Sequence, residues 1–264
     1  MTLRAHIRLT LLEMFWRLLR FFGWEITDIP RMTVLLYHSV SDSDDFHAVT
    51  PAAFASQIEY LKRYFDVVPL SRAFAHAAGK SVEKDSVAIT FDDGYRDFIE
   101  NAQPILERFA APATLFVLGG EADRRELGNA HPLIAREDIP RINRNLVDVG
   151  SHGMTHKKLT RLSEEDAKRE MSESRDRIAQ TYGEEPDYFS YAKGAVNGSV
   201  RRLAEEAGYE GAVSVIQRGV HEGDDLFALP RMQVDSETTF RIFCAKLSIA
   251  ADWHHALWSL VRGR

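Results

Sequence analysis

Residues 87–95 read Val87-Ala88-Ile89-Thr90-Phe91-Asp92-Asp93-Gly94-Tyr95. The apolar and β-branched run from Val87 to Phe91 follows the polar Lys84-Asp85-Ser86 and predicts a short buried strand. That strand delivers two adjacent carboxylates at its C-terminal end. Gly94 then permits a turn, and a helix-like pattern follows from Tyr95 to Phe109 with a kink or restart at Pro104. In α/β folds the strand-to-loop junction is where active sites lie. Neighbouring aspartates repel one another unless one is protonated or a cation stands between them. An Asp-Asp-Gly turn that caps a helix is the ordinary alternative, so the rest of the chain has to decide.

Outward from this stretch, strand-like and helix-like segments alternate. Met32 to Tyr37 (MTVLLY) is a second apolar run, and it ends in His38, which by itself reads as a loop-holding histidine. Thr50-Pro51 predicts an N-cap with proline at the first helical position, and Phe54, Ile58, Leu61 and Phe65 follow at helical spacing. Val67 to Leu70 is a short strand or turn and Ser71 to Gly79 a short helix. Ala113 to Val117 is a strand ending at Gly119-Gly120, and Glu121 to Asn129 is a surface excursion. Leu146 to Gly150 forms the next strand and runs into Ser151-His152-Gly153-Met154-Thr155-His156. Ser163 opens a helix through Tyr182, with Glu164, Glu165 and Asp166 in its first turn. Asp187 to Tyr191 and Gly211 to Ile216 are strand-like, Ser199 to Ala207 is helical, and a last helical region starts at Ser236. Short, uniformly apolar strands between helices predict an α/β fold with a parallel sheet. Roughly six or seven strands suit a barrel-like closure over residues 31–264 better than two separate domains, preceded by an amphipathic basic helix at 1–30.

Composition excludes several classes. The formal charge of 33 basic against 39 acidic residues, −6, supplies no general basic surface for nucleic acid. The lone Cys244 rules out an intrachain disulfide and any cysteine-rich metal site, so a metal would need His, Asp or Glu ligands. Residues 3–24 carry Arg4, Arg8, Arg17 and Arg20 against only Glu13. On a helical wheel His6, Thr10, Glu13, Arg17 and Arg20 form one stripe, opposite Leu3, Ile7, Leu11, Met14, Leu18 and Phe21. The charges argue against a membrane span and against a cleavable signal peptide. Two readings stay open: an amphipathic helix packed on the domain, or one lying in a membrane interface with its arginines toward anionic head groups. The expected location is cytoplasmic, or peripheral on a membrane.

His152 and His156 stand three residues apart, close enough for both imidazoles to reach one ion. Asp93 completes a two-histidine, one-carboxylate set of the kind that binds a divalent metal, zinc first among them, and leaves a position for water or substrate. Such an ion lowers the pKa of water and polarises a carbonyl.

Thr90-Phe91-Asp92-Asp93-Gly94 together with Ser151-His152-Gly153-Met154-Thr155-His156 resembles the first two motifs of the polysaccharide deacetylases, carbohydrate esterase family four, or NodB homology domain. The resemblance covers roughly residues 32–235. It implies a distorted barrel of fewer than eight strands, Asp92 as general base, and Asp93, His152 and His156 as metal ligands. It also implies a general acid, often a late histidine, but His221, His254 and His255 lie in unsuitable settings. Leu35-Leu36-Tyr37-His38 is similar to the circularly permuted members, such as the poly-N-acetylglucosamine deacetylases, in which the acid precedes the Asp-Asp motif, so His38 inherits that role. One motif departs. Where many members have Arg-x-Pro-Tyr, this chain has Ser190-Tyr191-Ala192-Lys193. The Lys193 backbone N–H is the candidate for stabilising an oxyanion. Arg231, after Leu229-Pro230, is the candidate for orienting Asp92, with a purely structural role as the alternative. The implied activity is metal-assisted removal of an N-acetyl group from an amino sugar in a polysaccharide, glycolipid or lipid-linked precursor. Hydrolysis of another C–N bond and glycan binding without turnover are the alternatives.

Overall fold

The computed structural model describes residues 3–21, 30–121 and 131–262. The expected excursion at Glu121 to Asn129 therefore lies almost wholly outside the described residues. In chain order the strands are β1 (Met32–Tyr37), β2 (Ser39–Val40), β3 (Ala48–Val49), β4 (Asp66–Val67), β5 (Ser86–Phe91), β6 (Ala113–Val117), β7 (Val147–Ser151), β8 (Tyr188–Ser190), β9 (Gly211–Val213) and β10 (Met232–Gln233). The α-helices are α1 (Leu3–Phe21), α2 (Pro51–Tyr64), α3 (Leu70–Ala77), α4 (Gln103–Phe109), α5 (Glu164–Tyr182), α6 (Gly198–Glu206), α7 (Phe240–Lys246) and α8 (Ile249–Arg262).

Seven strands follow one another in the order β10-β1-β5-β6-β7-β8-β9, and β4 joins the start of β5. All these pairings are parallel. The sheet curls, and an isolated parallel bridge between Val213 and Leu229 links β9 to the segment just ahead of β10. The result is the barrel-like parallel sheet that the alternation predicts and the distorted barrel that the resemblance implies.

Strand periodicity sorts the side chains onto two faces. On β5, Val87, Ile89 and Phe91 pack outward with Phe54 and Ile58 of α2 and Leu106 of α4. Ala88 lies on the inner face with Val34, Phe116 and Val213, and the same alternation puts Thr90 and Asp92 there. Gly150 makes room for this interior, because a Cβ at that position would stand 2.4 Å from the Phe116 ring.

Local signals set the helices. The Thr50 hydroxyl accepts from Ala53 N–H and the Ser163 hydroxyl from Asp166 N–H, as N-caps do. Gly183 at φ 87° ends α5. The expected helix from Tyr95 begins instead as a π-helical turn at Phe98–Ala102 and becomes α-helical at Gln103, beside Pro104. The strand expected through Ile216 stops at Val213 because the Ser214 hydroxyl donates to the Leu229 carbonyl and accepts from Ile216 N–H, diverting the backbone from the ladder. The short strands β2, β3 and β10 are additions to the sequence reading, since two residues carry no legible periodicity.

Helix α1 packs on the C-terminal helices. Leu12 is buried with Ala245 and Ala250, and the Phe15 ring lies 5.5 Å from that of Trp253. The burial falls on a different face from the predicted apolar stripe: Leu11, Met14 and Leu18 are exposed. No described helix is long and apolar enough to cross a membrane.

Candidate active site

The C-terminal ends of the strands converge on one cavity of about 390 Å³. His38 follows β1, Asp92 and Asp93 follow β5, His152 follows β7, and all four line it together with His156, Lys193, Asp45, His47, Tyr95, Tyr191 and Gln233. Asp92, Asp93, His152 and His156 are buried, and His38 is half-buried.

Arg231 is the largest fully buried side chain. Its Nη1 donates to Asp92 Oδ1 at 2.8 Å and its Nη2 to Asp92 Oδ2 at 2.7 Å. Further bonds from Nε to the Ser214 carbonyl (3.0 Å), from Nη1 to Thr90 Oγ1 (3.1 Å) and from Nη2 to Ser190 Oγ (2.9 Å) hold the guanidinium. Its plane of charge also lies over the Phe116 ring at 5.6 Å. Ser190, at the position of the family's arginine, donates its hydroxyl to Asp92 Oδ2 at 3.0 Å. A small residue at 190 thus leaves room for an arginine arriving from the far side of β1. Burial pushes the Asp92 pKa up, but the Arg231 guanidinium, together with the His152 and His38 imidazoles, outweighs it and holds the carboxyl below its ordinary value.

Asp93, His152 and His156 bring one donor atom each to within 4.8 Å of one another. Asp93 Oδ1 lies 3.3 Å from His152 Nε2 and 3.2 Å from His156 Nε2. These separations approximate the edge of a tetrahedron of ligands with ~2.0–2.1 Å bonds to zinc. Asp93 Oδ1 is fully buried and has no hydrogen bond of good geometry, as expected of an oxygen shaped for a cation. The His152 Nδ1 lies 2.8 Å from the Ser190 carbonyl, which can only accept, so Nδ1 carries the proton and Nε2 presents its lone pair to the cavity. Burial lowers the His152 pKa, yet Asp92 and Asp93 hold it above the usual imidazole value. The donor set therefore favours positive charge at its centre and fits a divalent metal.

Three of the four non-glycine residues at positive φ among those described are at this cavity: Asp93 (71°), His156 (60°) and Lys193 (58°). Strained backbone of this kind persists where surrounding structure over-determines it, commonly at functional sites. The Lys193 side chain is exposed at the rim.

His38 packs its ring 4.6 Å from that of His47. Burial lowers its pKa from 6.5 to about 4, against the pull of Asp93 and Asp92, so the imidazole is neutral near pH 7. Sequence reading missed Asp45, His47, Tyr95, Tyr191 and Gln233, all of which line the cavity. Tyr95 directly follows the Asp-Asp-Gly turn and was within reach of sequence reasoning, whereas Asp45 and His47 sit in a polar loop with no pattern to mark them.

A family model described as polysaccharide deacetylase matches residues 79–212. The chain belongs to the polysaccharide deacetylase family. It is 26% identical over 215 residues to YxkH of Bacillus subtilis (strain 168), covering 80% of this chain and 75% of that protein. It is 23% identical over 214 residues to the poly-beta-1,6-N-acetyl-D-glucosamine N-deacetylase of Staphylococcus aureus (strain MSSA476), covering 77% and 73%. Its fold is similar to that of IcaB from Ammonifex degensii, with a TM-score of 0.72 at 21% identity over 83% of this chain and 97% of that one. Within this deacetylase fold, the sequence-expected residues Asp92, Asp93, His152, His156, His38 and Lys193 share one cavity, and Arg231 lies directly beneath it on Asp92.

Proposed function

We propose that the protein is a metal-dependent hydrolase that removes the N-acetyl group from an N-acetylated amino sugar of a polysaccharide, glycolipid or lipid-linked precursor. The observation that carries this reading is the pairing of an ionised, arginine-fixed Asp92 with the adjacent donor set of Asp93, His152 and His156 in a single cavity. Asp93, His152 and His156 would hold a divalent ion, with zinc the first choice for two histidines and a carboxylate. When bound, that ion supplies Lewis-acid polarisation of the acetyl carbonyl and acidifies water.

The chain's own groups do the proton work. Asp92, ionised and oriented by Arg231, takes a proton from the hydrolytic water. The Lys193 backbone, at the rim, is the candidate donor to the oxyanion that develops on the former carbonyl. His38 delivers a proton to the nitrogen that leaves, because an amine departs poorly until protonated. His38 is neutral at rest near pH 7, so the proton that Asp92 removes from the water is the one that reaches the leaving nitrogen by way of His38, and the transfers balance over a turnover. Glycan binding without turnover drew its support from the altered segment Ser190 to Lys193. That support weakens with Arg231 present on Asp92.

The Staphylococcus aureus relative is a poly-beta-1,6-N-acetyl-D-glucosamine N-deacetylase, so β-1,6-linked N-acetylglucosamine oligomers are the first substrates to offer. Intact-mass analysis after incubation with the metal-loaded protein should show stepwise loss of single acetyl groups. Unchanged masses for these and for β-1,4-linked oligomers would overturn the proposal.

A further inference from the structure

All four tryptophans of the chain, Trp16, Trp24, Trp253 and Trp258, lie in its two terminal segments. The fold joins those segments, since α1 packs along α7 and α8 through Leu12, Phe15 and Trp16. The face of the pair turned away from the barrel is apolar. Leu11 is 43% exposed, Met14 54% and Leu18 52% on α1; Trp253 is 47% and Leu257 59% exposed on α8. At 100° per residue Leu11, Met14 and Leu18 share one stripe of α1, and Trp253 and Leu257, four apart, share one stripe of α8. Five of the ten large hydrophobic side chains exposed among the described residues are therefore on this helix pair, which sets it apart from scattered surface leucines.

The charge on the same two helices is opposite in sign to that of the protein. The chain carries −6 in all, yet α1 has Arg4, Arg8, Arg17 and Arg20 against Glu13 alone. That one acid is engaged by Arg17 at 2.8 Å and Arg241 at 3.8 Å. Helix α8 adds Arg262 against Asp252, and Asp252 is tied to Arg31 at 2.7 Å. An apolar face that bears Trp253, on helices whose charge is net basic within an acidic protein, complements an anionic lipid surface, where tryptophan rings favour the head-group layer and each arginine that reaches it adds about fivefold to partitioning. A second copy of the chain would instead bring two net-basic helix pairs together.

We propose that the joined outer face of α1 and α8 docks on an anionic membrane surface, with both helices lying in its plane and Leu11, Met14, Leu18, Trp253 and Leu257 entering the head-group layer. A groove of about 160 Å³ beneath α1, lined by Leu9, Leu12, Phe46 and Gln233, lies between this face and the reactive cavity, and Gln233 lines both. The lipid contact itself does not depend on the proposed deacetylation.

The test is co-sedimentation of the full chain with phosphatidylglycerol–phosphatidylcholine vesicles, compared with vesicles of phosphatidylcholine alone. The parent should partition into the anionic vesicles and bind the neutral ones at least about tenfold more weakly. The triple variant Leu11→Gln, Met14→Gln, Leu18→Gln should lose at least about tenfold in anionic partitioning, with an unchanged thermal melt and unchanged turnover of a soluble oligosaccharide. A parent that stays in the supernatant, or a folded triple variant that binds as the parent does, overturns the proposal. So does a concentration-dependent dimer in sedimentation equilibrium that the triple variant abolishes, because the face would then be covered by a second copy.

Discussion

The guanidinium of Arg231 meets the carboxylate of Asp92 fork to fork, at 2.8 and 2.7 Å, across a sheet in which their strands β10 and β5 are separated by β1. Both side chains are buried, so each neutralises a charge that water cannot reach. Removing one partner of such a pair costs about 3–5 kcal/mol, because the other is left as an uncompensated buried charge. Arg231→Ala should lower unfolding stability by that amount in urea melts. With burial left as the dominant influence, the Asp92 pKa should rise and carry the acid limb of the kcat/KM profile to higher pH. Arg231→Lys keeps the charge but loses the bidentate fit, and should fall between the two. An alanine variant as stable as the parent would mean that Asp92 is solvated after all.

Metal analysis offers a direct reading of the donor set. The purified protein should hold one divalent ion per chain, and the double variant His152→Ala, His156→Ala should hold none by elemental analysis. Stoichiometric metal in that double variant would move the site elsewhere.

For His38 the informative comparison is between substrates. His38→Ala should lower kcat for an N-acetyl amide by ~10²–10⁴-fold, while an activated aryl acetate, whose leaving group needs no proton, should lose far less. Equal losses on both would make His38 a positioning residue.

Away from the cavity, Asp252 in the first turn of α8 accepts from Gly219 N–H at 2.8 Å and pairs with Arg31. Burial raises its pKa, but His221 and Arg31 reverse the effect and bring it down to about 2 from 3.8. A carboxyl with a depressed folded pKa adds stability that is complete above its unfolded value and fades as pH falls toward the folded one. Asp252→Asn should therefore cost about 2 kcal/mol at pH 7. The difference from the parent should shrink as pH drops from about 4 to about 2. A gap that stays constant over this range would assign the loss to hydrogen bonding alone.

Local pattern was enough to specify much of this molecule. The apolar run ending in Asp92-Asp93-Gly94, the two histidines at 152 and 156, and the N-caps Thr50 and Ser163 each depend on residues a few positions apart, so their reading needs only the geometry of a strand, a turn or a helix. The alternation of such segments carried the parallel barrel with it. Tertiary structure alone decided the rest. Whether Arg231 supports Asp92 depends on two residues 139 positions apart meeting across β1, and the choice between a structural and an orienting arginine had no local signature. The outer face of α1 is a second case. Its wheel marked Leu11, Met14 and Leu18 as part of an apolar stripe and left open what covers it, and α7 and α8 meet the helix along Leu12 and Phe15 instead. A hydrophobic stripe states that a face avoids water; which neighbour covers it is fixed by the packing of elements distant in sequence.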